Sequence, residues 1–265
     1  MITQQNDTTK TIQCVASAIN KAERILFITG AGISADSGLP TYRGVGGLYH
    51  DQVTEEGITI ETALSSTMFH RRPDITWKYL WQLGAACHGA QFNRAHEIIA
   101  LIQQRKPKSV VLTQNIDGFH RAAGSTKLIE VHGHAFDLYC VSCHTDFLAA
   151  DLVANYEVQP QLPPLCPHCG GLIRPNVVLF GEQLPDEAVM GMVELASQPV
   201  NLVIAIGTSS SFPYILRPVI DASYQGIPTV EINPSDTPIS DIVTYRLRLR
   251  AAEAMEKIWR YFIEH

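Results

Sequence analysis

The stretch Arg24–Ala35, RILFITGAGISA, decides the fold. Its first half is an uninterrupted apolar run, and its second half, Gly30-Ala31-Gly32-Ile33-Ser34-Ala35, has the pattern G-x-G-x-x-A. A continuous rather than alternating apolar run marks a strand buried on both faces, as in a parallel sheet covered by helices. Glycines directly after such a strand allow a tight turn and let backbone N–H groups approach a pyrophosphate. Taken alone, the turn also fits a plain strand-to-helix connection without a ligand. An acidic residue about 20 positions further on, ending a second strand, would complete an ordinary dehydrogenase site. That region reads Tyr49-His50-Asp51 inside an irregular segment, so a nucleotide site here differs from a dehydrogenase's.

The same strand signature recurs in Ser109–Asn115 (SVVLTQN), Asn201–Gly207 (NLVIAIG) and Thr229–Asn233 (TVEIN). Helical patterns precede three of these runs, at Thr9–Lys21, His96–Gln104 and Pro185–Ser197. The alternation predicts an α/β fold, a Rossmann-like parallel sheet with helices on both faces. Two stretches interrupt the rhythm. Gly44–Gly89 is too long for one crossover and contains helix-like pieces at Ile60–Phe69 and Asp74–Ala86, and Cys140–Cys169 holds four cysteines and a proline-rich turn. Both read as inserts that make a smaller second lobe. The expected division gives residues 1–44, 96–133 and 177–265 to the Rossmann-like domain, 45–95 to a helical insert and 134–176 to a zinc-binding insert.

Composition narrows the class. The 265 residues are 46% hydrophobic and 17% charged, enough apolar surface to exclude a disordered chain. A formal net charge of −6 argues against a nucleic-acid partner, which needs a basic face. The start, MITQQNDTTK, has no basic stretch followed by an apolar one, and the longest apolar run, around Leu202–Ile206, is strand-sized. The expectation is a cytoplasmic protein without a membrane partner.

Six cysteines are too few for a disulfide scaffold, and their spacing carries more than their number. Cys140-Val-Ser-Cys143 and Cys166-Pro-His-Cys169 are two C-x-x-C pairs of the kind that close a four-thiolate zinc site. With all four positions taken by sulfur, the zinc is structural rather than catalytic. Cys140–His144 also matches the c-type haem pattern, but the second pair favours zinc over haem or a redox dithiol. Cys14 and Cys87 have no partner in the pattern and read as core-filling residues.

Polar residues gather where strands end. Thr113–His120 (TQNIDGFH) follows one apolar run, and Glu130–His134 (EVHGH) follows the short run Leu128–Val131. In open α/β sheets ligands sit outside the carboxyl ends of strands. Asn and Asp at such places also form turns and caps. Together, Gln114, Asn115, Asp117 and His132 point to a site beside the Gly30 turn, with His132 suited to proton transfer near neutral pH.

With these motifs assembled, the chain closely resembles the sirtuins, the NAD-dependent protein deacylases, in the form of a small prokaryotic-type catalytic core. The resemblance rests on Gly30–Gly44 (GAGISADSGLPTYRG), Thr113–His120, His132-Gly133, the cysteine pairs, Val178–Glu182 (VLFGE), Gly207–Ser209 (GTS) and Ile232-Asn233. It implies NAD as co-substrate and a structural zinc on Cys140, Cys143, Cys166 and Cys169. It implies that Gly30, Ala31, Gly32, Tyr42 and Arg43 form the cofactor loop, with Tyr42 standing where most members have Phe. Gln114, Asn115, Ile116 and Asp117 would surround the nicotinamide and its ribose, with His132 as general base. Gly207, Thr208, Ser209, Asn233 and, by looser alignment, Ala251 would hold the adenosine half. Val178, Phe180, Gly181 and Glu182 would form a strand-like edge for an acyl-lysine peptide or protein. The implied reaction releases nicotinamide, O-acyl-ADP-ribose and free lysine. Mono-ADP-ribosyl transfer from the same NAD site is the competing activity.

The chain departs from the family in two places. The segment Ser209–Pro213 (SSSFP) does not show the Val followed two residues later by Pro that members often carry after Gly207. Sirtuins that remove succinyl or malonyl groups carry a Tyr and an Arg three residues apart on a helix of the insert. A gap-free count between Pro73 and His96 puts Leu80 and Leu83 at those positions. Two leucines leave a buried carboxylate unpaired, so neutral acyl groups are the expected preference.

Overall fold

The computed structural model describes residues 2–40, 53–152 and 161–264. Helix α1 (Ile2–Lys21) leads into β1 (Ile25–Thr29) and a 3-10 turn over Ala31–Ser37. Next come α2 (Ile60–Ala63), α3 (Ser66–Arg71), α4 (Pro73–Cys87), α5 (Arg94–Arg105), β2 (Val110–Thr113), α6 (Phe119–Ala122) and β3 (Leu128–Glu130). The cysteine segment gives β4 (Gly133–Cys140), β5 (Asp146–Leu148), α7 (Ala149–Leu152) and β6 (Ile173–Val177). The chain then runs through α8 (Asp186–Ser197), β7 (Leu202–Ile206), α9 (Pro213–Tyr224), β8 (Thr229–Ile232), β9 (Tyr245–Leu247) and α10 (Ala251–Glu264).

Six strands form one parallel sheet in the order β3-β2-β1-β7-β8-β9. The four apolar runs of the sequence are its four central strands, and every residue of β1, β2, β7 and β8 is buried. Alternate side chains serve opposite layers. Phe27, Val111 and Ile204 pack against α1, α5 and α10, whereas Leu26, Leu112 and Val203 pack against α8 and α9. Strand order reverses between β1 and β7, which opens a crevice at their carboxyl ends.

The smaller lobe joins the antiparallel sheet β5-β4-β6 to the helices α2–α4. Its core holds Phe69, Trp77, Leu138, Ile173 and Leu179 together with the buried Cys140 and Cys166. No helix among the described residues is long and apolar enough to cross a membrane.

Three local expectations change. Helix α1 reaches back to Ile2, through polar residues with no apolar period to read. The segment Ile60–Phe69 is two helices, because Leu64 and Ser66 pair with the backbone of Phe180 and Ser65 restarts the helix by accepting a hydrogen bond from the Met68 N–H at 3.1 Å. Val178–Glu182 lies outside the strands. Strand β6 ends at Val177, Gly181 takes φ 88°, and of these five residues Phe180 alone makes a β-bridge, to Ser65.

Candidate active site

The crevice between β1 and β7 is closed by two glycine turns that touch. The Gly32 N–H donates to the Gly207 carbonyl at 2.8 Å. A Cβ on Gly32 would lie 2.7 Å from the Gly207 Cα, and one on Gly30 would lie 2.9 Å from the Thr208 Cα. Gly207 itself takes φ 58°. The fingerprint glycines therefore first serve the contact of turn on turn, which joins the loops after β1 and β7 at the switch point. The backbone needs Gly here whether or not a ligand is bound.

Gln114, Asn115 and Asp117 follow β2 and meet this loop. The Gln114 amide donates to Thr208 Oγ1 at 2.7 Å, so the turn after β2 and the turn after β7 are joined. The Asn115 amide donates to Ser34 Oγ at 3.1 Å, and Ser34 Oγ donates to Asp117 Oδ2 at 2.6 Å. The other Asp117 oxygen accepts from the Phe119 N–H at the start of α6. Burial raises the Asp117 carboxyl above its usual range, and these donors partly offset it. Asn233, after β8, donates from its amide to the Thr208 carbonyl at 3.0 Å. Ser34 is the residue that sequence reasoning passed over, since in G-x-G-x-x-A it occupies a spacer position.

His132 follows β3. Its Nδ1–H donates to the Gln114 carbonyl at 3.1 Å, which fixes the tautomer and leaves the Nε2 lone pair as acceptor. Tyr214, also missed in the sequence, places its hydroxyl 2.7 Å from Nε2. Burial pushes His132 below the ordinary histidine range, and the bond to Gln114 opposes this. The ring is neutral at pH 7, the form a general base requires.

A second pair of histidines lies beneath the site. Thr29 Oγ1 donates to Thr113 Oγ1 at 2.7 Å and accepts from His120 Nε2 at 2.9 Å. His96 caps α5 through Asn93 and meets His120 at a ring separation of 4.9 Å.

The remaining expected residues are placed as follows. Ile116, Leu80 and Leu83 line one apolar cavity of about 50 Å³, beside Trp77 and Leu138. Tyr79, the neighbour of Leu80, gives its hydroxyl to Glu56 instead. Val178 donates its N–H to the His132 carbonyl at 3.0 Å. Glu182 is turned inward, paired with Arg174 at 2.7 Å and accepting from the Leu179 N–H at 2.8 Å, so its carboxylate shapes the turn. Ala251 is buried in the core at the start of α10. Tyr42 and Arg43 lie outside the described residues. Cys87 lies near Asp117, and burial raises its thiol to about 12, which leaves it unreactive.

The four motif cysteines converge, with all Sγ atoms within 4.8 Å of one another. The closest pairs join the two motifs, Cys140 to Cys169 at 3.5 Å and Cys143 to Cys166 at 3.7 Å. A zinc–sulfur bond of about 2.3 Å gives a tetrahedral edge of about 3.8 Å, so the cluster fits zinc. The Ser142 and Gly171 N–H groups each point at a sulfur at 3.4 Å, support suited to thiolates. His144 and His168 are exposed, and His168 stacks on Phe147.

A reversed-order parallel sheet, glycine turns at the switch point, a buried Asn–Ser–Asp network and a four-thiolate lobe define a dinucleotide-binding α/β protein with a structural metal. The model of the Sir2 family matches residues 30–212. The chain is 51% identical over 245 residues to the NAD-dependent protein deacylase 2 of Pseudomonas syringae pv. tomato, covering 92% of this chain and 97% of that one. It is 48% identical over 254 residues to the protein of the same name from Pseudomonas aeruginosa, covering 95% and 97%. Among solved structures, a complex described as Sir2-p53 peptide-NAD+ superimposes with a TM-score of 0.79 at 30% identity, covering 94% of this chain and 97% of that one. The chain belongs to the Sir2 family.

Proposed function

We infer that this chain is an NAD-dependent protein-lysine deacylase that prefers neutral acyl groups, acetyl or longer, to succinyl and malonyl. The observation that carries the reading is His132, held as a neutral base by the Gln114 carbonyl on the strand ends that also bear Asn115 and Asp117. Family membership and the printed activity of the two Pseudomonas relatives support NAD dependence and protein substrates.

When bound, NAD supplies a cationic nicotinamide on a ribose carbon, a good leaving group. Gln114, Asn115, Ile116 and Asp117 orient that half, with the Asp117 carboxylate and Asn115 amide preset by Ser34. Gly30, Ala31 and Gly32, with Gly207, Thr208, Ser209 and Asn233, would hold the other half, while Ala251 packs in the core at the start of α10. His132, with its Nδ1–H held by the Gln114 carbonyl, would serve as the base toward the ribose hydroxyls. The 178–181 segment presents the edge for the substrate chain, and its shape is set by Glu182 and Arg174. The products are nicotinamide, O-acyl-ADP-ribose and free lysine.

The cavity at Leu80, Leu83 and Ile116 supports the acyl preference. No Lys or Arg lines it among the described residues, so a carboxylate-bearing acyl group would lose water and gain no partner. One peptide carrying acetyl-, octanoyl- or succinyl-lysine, incubated with NAD and followed by mass spectrometry, tests both parts. The expected kcat/KM for acetyl exceeds that for succinyl by on the order of tenfold or more. Equal succinyl turnover would refute the preference. ADP-ribose attached to protein, with no lysine freed, would assign the chain to mono-ADP-ribosyl transfer.

A further inference from the structure

We propose that Tyr214 is the second member of the catalytic base, a hydroxyl through which the substrate proton reaches His132. The proposal rests on the deacylase reading and deepens it. His132 has one nitrogen left for base chemistry, because Nδ1–H is spent on the Gln114 carbonyl. The remaining Nε2 lone pair already accepts a hydrogen bond from the Tyr214 hydroxyl at 2.7 Å. A substrate hydroxyl must therefore either push Tyr214 aside or hand its proton to the Tyr214 oxygen.

The packing favours the second route. Tyr214 stands in the first turn of α9, directly after Pro213, whose ring fixes the backbone at the helix start. The next residue, Ile215, and Val219 one turn on are fully buried against the sheet. The Tyr214 ring stacks on Phe212 at 5.4 Å and 14°, and both rings stand edge-on to His132. Moving the hydroxyl off Nε2 would break the ring stack on Phe212. Half-buried, the phenol holds its proton above the ordinary tyrosine range, so it remains a donor at neutral pH.

The step balances as two concerted proton transfers. One ribose O–H breaks and an O–H forms on Tyr214, while the original Tyr214 O–H breaks and an N–H forms on His132 Nε2. Tyr214 ends neutral, His132 ends as imidazolium, and the ribose oxygen keeps the electron pair with which it attacks the acyl carbon. No oxidant or further reactant is needed. On the deacylase reading the acyl oxygen would displace nicotinamide before this step, a displacement in which no proton would pass to His132.

The test compares wild type with Tyr214→Phe, which keeps the stacked ring. Single-turnover deacylation of an acetyl-lysine peptide is measured alongside exchange of labelled nicotinamide into NAD. In Tyr214→Phe deacylation falls by about tenfold or more while exchange stays within about twofold of wild type. In the wild type the rate bends with deuterium fraction as two protons in flight require, and in the variant the dependence is linear. Adding Tyr214→Phe to His132→Ala costs nothing further, since the two act as one unit. A variant that turns over as fast as wild type or faster overturns the relay and makes the hydroxyl a removable plug. A variant that loses exchange and deacylation alike overturns it in favour of a structural role. Wild-type protein that neither exchanges nicotinamide nor frees lysine would instead sink the deacylase reading itself.

Discussion

Ser34 Oγ donates to Asp117 Oδ2 at 2.6 Å and receives the Asn115 amide at 3.1 Å, so one hydroxyl couples the glycine loop to two of the polar residues after β2. Ser34→Ala leaves a half-buried carboxylate short of a donor and a buried amide short of an acceptor. Each orphaned group costs about 1–3 kcal/mol. Urea unfolding should show a combined loss of about 2–6 kcal/mol, and NAD titration should show weakened binding under conditions where the variant is folded. Unchanged stability and affinity would mean that the hydroxyl is dispensable.

His132→Ala should reduce deacylation by about 10²–10⁴-fold and leave NAD binding in place. The acid limb of wild-type kcat/KM should fall below the ordinary histidine value of about 6.5, because burial lowers the His132 pKa. A pH–rate profile with its limb at or above that value would place the essential base elsewhere.

Metal analysis should find one zinc per chain, and Cys166→Ala should lose it. Cys140 and Cys166 are buried in the same apolar cluster as Trp77 and Leu179, with Ile116 packed against it. Losing the metal should therefore melt the small lobe and raise KM for peptide more than KM for NAD. Chelator treatment followed by circular dichroism and steady-state kinetics reads both effects.

Acid should destabilise the protein progressively from about pH 6.5 downward. Burial lowers His96 to about 4 and His120 to about 3, from an ordinary value of 6.5. Both depressed values mean that the unfolded chain binds protons the folded chain refuses. Their contribution is fully present above about pH 6.5 and is lost progressively as pH falls, with His96 ceasing to matter near 4 and His120 near 3. Together they give a slope of about 3 kcal/mol per pH unit at most. Urea midpoints at pH 7.5, 6.5 and 5.5 check this, and equal midpoints would contradict it.

The parts legible in the sequence were those with a local cause. Ile25–Thr29 and Leu202–Ile206 read as central strands because both faces of each are buried and no polar residue interrupts them. The cysteine pairs declared themselves by spacing. Ser34 and Tyr214 did not, because their roles lie in partners 83 and 82 positions away in the chain, which no local period encodes. The break between α2 and α3 was hidden for the same reason, since the backbone of Phe180 imposes it. The strand-like edge at 178–182 is implied by the family resemblance, and the inward pairing of Glu182 with Arg174, eight positions back, has no local signal in the sequence.

The pairing of β1 with β7 carries a consequence for how the chain is made. The side chain of Asn201 accepts the backbone N–H groups of Glu23 and Arg24 across 178 and 177 positions, at the root of these two strands. Until β7 has left the ribosome, β1 is an edge strand of wholly apolar side chains, and the Gly30 loop has no Gly207 turn to rest on. Such distant pairing slows folding and exposes a sticky edge in the nascent chain. A chain stopped before Leu202 should be insoluble and unable to bind NAD although it retains Asn115, Asp117 and His132. Chaperone demand during synthesis should rise after β1 emerges and end only when the last third of the protein arrives.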